Sequence, residues 1–98
     1  MRVDRTELFR KDFQALPREA RKAAEKRITQ LPLDHTHPSL RLEGISGRKG
    51  LFSVRVNGRY RISLSFEPDG AMMLRRILDH DDFMAALKPD NGEKAHGR

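Results

Sequence analysis

Apolar and polar residues alternate with a period of two from Phe52 to Phe66, with a break at Asn57-Gly58. Phe52, Val54 and Val56 alternate with Ser53 and Arg55 before the break. Tyr60, Ile62, Leu64 and Phe66 alternate with Arg59, Arg61, Ser63 and Ser65 after it. Successive strand residues point to opposite faces, so the pattern predicts a β-hairpin with one apolar face. Asn-Gly at its centre predicts a type I′ turn, which needs positive φ at both central positions. The polar face carries Arg55, Arg59 and Arg61 among serines. Guanidinium groups stay charged and donate in pairs, so that face suits phosphate.

Upstream the period changes. A short strand is predicted at residues 1–4, and Thr6 is placed to cap a helix. Phe9, Phe13 and Leu16 then fall at i, i+4 and i+7, one stripe of an amphipathic helix. Pro17 breaks it and suits the first turn of a second helix reaching about Leu31. Ala20, Ala23, Ala24, Ile28 and Leu31 form the inner stripe of that helix, and small alanines allow a close approach to a sheet. Residues 39–45 read as a strand and residues 44–50 as a flexible basic loop. Glu67-Pro68-Asp69-Gly70 is a turn in which Pro fixes φ, Asp caps and Gly supplies positive φ. A strand over residues 71–78 and a short helix over residues 79–87 follow, with Phe83 and Leu87 facing inward.

These elements predict an α+β fold: an N-terminal helical hairpin on one face of a small antiparallel sheet, with a short C-terminal helix. The other sheet face is expected to be open and to carry the arginines. A single domain over residues 1–88 is expected, followed by a polar, fraying tail at residues 89–98.

The net charge of +6 favours polyanionic partners. The absence of cysteine excludes disulfides and Cys-ligated metal and suits a reducing compartment. No apolar run approaches a membrane span, and the first residues carry charges where a signal peptide needs an apolar stretch. A soluble, cytoplasmic protein is expected, with no membrane and no cofactor among its partners. His35 and His37 form a lone pair without convincing metal spacing.

Four segments, in this order, resemble the RelE/ParE superfamily of toxins from type II toxin–antitoxin systems. They are F-R-K-D-F-Q-A-L-P-R-E-A at residues 9–20, H-P-S-L-R-L-E-G-I-S-G at 37–47, S-V-R-V-N-G-R-Y-R-I-S-L-S-F at 53–66 and R-I-L-D-H-D-D-F at 76–83. In RelE-like members the resemblance implies a ribosome-dependent endoribonuclease that cuts mRNA without metal, and a cognate antitoxin that neutralises it. The ParE-like branch instead inhibits DNA gyrase without chemistry of its own. A decayed toxin that keeps only its antitoxin interface is a further alternative. A shared fold does not choose among them.

Cleavage by the RNA 2′-OH needs a proton acceptor, a proton donor and cations on the phosphorane. The resemblance places Arg61 at the scissile phosphate, with Arg55 on the same face. His80, just after the last strand, is the candidate general acid, because imidazole titrates near neutrality. Its alternative is a helix-capping histidine. Ser53 stands where RelE-like enzymes carry a lysine, and serine is a poor base. Glu43, or failing that His35 or His37, is the candidate acceptor. Arg48 and Lys49 read as a phosphate clamp or a solvated loop. Arg59 reads as a contact to RNA phosphates or a solvated side chain, and Phe83 as a base-stacking or a core residue. Asp79, Asp81 and Asp82 flank His80 and repel phosphate locally.

Overall fold

A computed structural model describes residues 1–87 of the chain, so the tail expected at residues 89–98 lies outside the described residues. Strand β1 (Val3–Arg5) leads into Thr6, whose extended backbone lets its hydroxyl accept from the Phe9 N–H at 3.0 Å. That cap satisfies one of the free donors of helix α1 (Glu7–Gln14). Pro17, with its fixed φ, precedes helix α2 (Arg18–Gln30). Phe9, Leu16, Ala20, Ala24, Ile28 and Leu31 of this hairpin are buried. They share one core with Val54, Val56, Ile62, Leu64, Met72, Leu74 and Ile77 of the sheet.

The remaining strands are β2 (Glu43–Gly44), β3 (Leu51–Arg55), β4 (Tyr60–Phe66) and β5 (Met72–Asp79), and helix α3 (His80–Leu87) closes the described chain. The sheet order is β1-β5-β4-β3-β2. All neighbours are antiparallel except β1 and β5, which run parallel. No helix of the described residues is long and apolar enough to cross a membrane.

Three expectations are corrected. The strand expected at residues 39–45 shrinks to the two residues of β2, preceded by a 3₁₀ turn (Pro38–Leu40). The side chain of His37 caps that turn, Leu40 is fully buried, and Arg41 takes the left-handed conformation (φ +49°). Burying Leu40 thus curls the segment out of an extended path. The Asn57-Gly58 turn is not type I′, because neither residue has positive φ. The Asn57 side-chain oxygen accepts from the N–H groups of Arg59 (2.8 Å) and Tyr60 (2.9 Å), and the Val56 N–H donates to the Tyr60 carbonyl at 3.0 Å. An Asn side chain thus takes the place of the backbone acceptor of a tighter turn. The third correction concerns the arginine-bearing face, which is partly covered: α3 folds back across it.

Phe83 of α3 is 4% exposed, and Ser53 and Ser63 beneath it are 5% and 3% exposed. Small side chains at these two positions leave room for the ring. The turn at Glu67–Gly70 forms as expected, with Gly70 at φ +90° and the Asp69 carboxylate accepting from the Ala71 N–H at 2.9 Å. That donor first, and then the Arg2 guanidinium, holds the Asp69 carboxyl below its ordinary range.

Two features of β5 go beyond the strand expected at residues 71–78. Ser63 pairs with Arg76 but Leu64 pairs with Leu74, so Arg75 is the extra residue of a β-bulge. Beyond its pairing with β1, β5 presents a bare edge, and Asp12 of α1 covers it. Its carboxylate accepts from the Ile77 N–H at 3.1 Å and from two guanidinium nitrogens of Arg76 at 2.8 and 3.1 Å. Those charged hydrogen bonds raise the Arg76 pKa further above its ordinary value.

Candidate functional site

Cross-strand partners in an antiparallel sheet point to the same face. Glu43 pairs with Ser53, Ser53 with Ser63, and Arg55 with Arg61. The polar residues of β2, β3 and β4 therefore share the face on which α3 lies. Between α3 and the β2 side of the sheet is a cleft of about 410 Å³ whose walls include Glu43, Ser53, Arg61, His80 and Phe83. Three chain segments far apart in sequence thus bring together a guanidinium, an imidazole and a carboxylate. Ile45, Met84 and Leu87 form the apolar side of the same cleft.

Arg55 and Arg61 sit directly opposite each other in the ladder. Like charges in that position destabilise a sheet. Among the described residues neither has a carboxylate within salt-bridge distance. Arg55 donates only to the Asn57 carbonyl, at 3.3 Å. The pair is an uncompensated concentration of positive charge beside the cleft.

His80 is held by its own backbone, whose N–H donates to the Arg59 carbonyl at 2.8 Å, and its residue is exposed. Its position at the start of α3 follows directly from the end of β5. The acidic cluster around it has a structural account. The Asp79 carboxylate accepts from the Asp82 N–H at 2.9 Å and caps the helix, while Asp81 and Asp82 occupy its first turn. Carboxylates there are favoured by the positive end of the helix dipole.

The other candidates lie elsewhere. The Arg59 guanidinium rests over the Tyr60 ring, 5.6 Å from its centroid. Lys49 is exposed in the loop after β2. Arg48 donates to the Leu87 carbonyl at 3.2 Å and lines a second cleft, on the other side of α3. His35 packs edge-on against Phe66 at 5.5 Å, and His37 accepts from the Ser39 N–H at 3.1 Å. Phe83 forms the inner wall of the cleft as a buried ring. Met84 was not foreseen; it is 49% exposed at the cleft, and no sequence pattern distinguishes it from a surface methionine. Among the described residues no group of three or more His, Asp or Glu side chains could hold a metal ion.

No protein-family model and no curated protein matches the sequence. Solved structures do match. The toxin–antitoxin complex of RelE with RelB from Methanococcus jannaschii superposes with a TM-score of 0.72 at 22% identity, over 88% of this chain and 100% of that one. The YoeB/ParE toxin from Agrobacterium tumefaciens gives 0.69 at 15% identity, over 82% and 99%. The DinJ–YafQ toxin–antitoxin complex from E. coli gives 0.67 at 16% identity, over 87% and 93%. At such identities the likeness is one of fold, and it extends over nearly all of each matched chain. The chain has the RelE/ParE superfamily toxin fold.

Proposed function

We propose that the protein is the toxin of a type II toxin–antitoxin pair and a ribosome-dependent endoribonuclease that cleaves mRNA and stops translation. The observation that carries this reading is the cleft shared by Arg61, His80 and Glu43, beside the unpaired Arg55–Arg61 ladder position. In the reaction, Glu43 takes the proton of an RNA 2′-OH, whose oxygen attacks the adjacent phosphorus. Arg61, with Arg55, holds the phosphorane oxygens as they gain charge. The bond from phosphorus to the 5′-oxygen breaks, His80 protonates that oxygen, and a 2′,3′-cyclic phosphate remains. The partners are then mRNA on the ribosome and a cognate antitoxin, as RelB and DinJ partner the toxins of the matched complexes.

The second reading is a toxin of this fold that binds DNA gyrase, or one that keeps only its antitoxin interface. Ser53 favours it: the residue is buried at 5% exposure, at the position where RelE-like ribonucleases carry a lysine. The test is cell-free translation with the purified chain, followed by primer extension on the message. Cuts at fixed positions within codons that vanish in Arg61→Ala and His80→Ala support the ribonuclease. Intact message with altered gyrase supercoiling supports the second reading.

A further inference from the structure

The proposed reaction uses one side of α3 and leaves the β5 bulge without a role. Bulges re-aim side chains, and they concentrate beside functional sites. Here the extra residue puts Arg75 and Arg76 on the same face in consecutive positions, and both line the second cleft, of about 540 Å³. The two arginines are not equivalent. Arg76 is engaged by Asp12. Arg75 is exposed and donates only to the Ser65 hydroxyl at 3.3 Å, which itself donates to Glu67 at 2.8 Å.

Among the described residues, Arg75 and Arg48 have no carboxylate within salt-bridge distance, and the one carboxylate lining the cleft is the exposed Glu7. The hydroxyl of Ser63, 3% exposed and also part of this cleft, has no hydrogen-bond partner among the described residues. Leu8, 53% exposed, and Leu78 add apolar wall that fits sugar and base faces.

We infer that this second cleft is a phosphate-binding station for the same single-stranded RNA, taking the backbone beside the reacting nucleotide. The inference rests on the RNA-cleaving reading and extends its footprint. Arg61 is level with Leu78 of β5, three residues along from Arg75. At roughly 3.3 Å per residue and 4.8 Å between strands, the two arginine backbones lie about 11 Å apart. One phosphate cannot touch both, but one short strand can. Arg48, in the loop after β2, lines the second cleft and donates to the carbonyl of Leu87, the last described residue of α3, which lines both clefts.

The test is fluorescence anisotropy of the full chain with a labelled single-stranded RNA, 2′-O-methylated so that it cannot be cut, titrated with salt. Each phosphate contact contributes about −0.7 to the slope of log affinity against log salt on a single strand. Arg75→Ala and Arg48→Ala each flatten the slope by about that amount, and Arg75→Lys restores it. Arg18→Ala, exposed on α2, leaves the slope unchanged. Circular dichroism verifies that each variant is folded. If Arg61→Ala flattens the slope and Arg75→Ala does not, the second station is wrong while the first cleft stands, and an acidic protein segment becomes its fitting occupant. If Arg18→Ala acts as strongly as Arg75→Ala, binding is diffuse and the inference falls. If no variant changes the slope, the RNA reading of both clefts fails together.

Discussion

Replacing Asp12 with alanine removes a side chain that ties the body of α1 to the bare edge of β5. Its carboxylate is 11% exposed and receives two bonds from Arg76 and one from the Ile77 N–H. The Arg76 side chain is 35% exposed, so solvent screens the ion pair, and that part contributes about 0–1 kcal/mol. The Ile77 N–H is the larger part, because a donor left without a partner inside the fold costs about 1–3 kcal/mol. Together the loss is about 2–3 kcal/mol, and for a domain of this size each kcal/mol lowers Tm by about 4–8 °C. Asp12→Ala is expected to melt about 10–20 °C below the parent. Asp12→Asn keeps an acceptor for the N–H and loses only the charge, so its expected cost is about 1 kcal/mol. Urea unfolding followed by circular dichroism measures both, with the slope unchanged if the denatured state is the same. An alanine variant within about 0.5 kcal/mol of the parent, the range of ordinary surface changes, would refute the edge-capping role. An asparagine variant as damaged as alanine would assign the effect to charge and not to the N–H.

Two further outcomes follow from the packing and the turn. Phe83→Ala removes the buried anchor of an eight-residue helix too short to stand alone. The expected cost is about 3 kcal/mol, at the low end for a buried Phe. It should be seen as faster amide exchange over residues 80–87 with the β4 amides still protected; equal loosening of both would contradict it. Asp69 has its pKa depressed in the fold from 3.8, so its stabilising contribution is complete above that value and is lost as pH falls through the folded-state value. Asp69→Asn is therefore expected to be less stable than the parent at neutral pH and to converge with it in strong acid, in urea midpoints compared at pH 7 and pH 2. A constant gap across pH would contradict the assignment.

The elements set by local chemistry were legible in the sequence. Thr6, Pro17 and the Glu67–Gly70 turn each act on their own neighbours, and their structures follow. So does the alternation in β3 and β4, which decides which side chains meet the helices. The elements decided by distant contacts were not. The segment before β2 curls because Leu40 is drawn into the core, which no local pattern announces. The Asn57 turn closes through a side chain, where Asn-Gly alone pointed to positive φ. The return of α3 over the sheet depends on Ser53 and Ser63 being small, a property that reads equally well as a solvated strand face. At the site, alternation was enough to put Arg55 and Arg61 on one face. The meeting of Glu43 and His80 with Arg61 needs the pairing of β2 with β3 and the reversal after β5. The bulge shows only as a break in the alternation, with Arg75 and Arg76 adjacent between Leu74 and Ile77, and the reach of Asp12 to β5 leaves no trace in composition or period.

The most direct measurement of the central claim is primer extension on mRNA from a cell-free translation reaction containing the purified chain. The account predicts cuts at fixed positions within codons, present with the parent and absent with Arg61→Ala and His80→Ala. A message left intact by the folded parent protein, or cut equally by both variants, would contradict it.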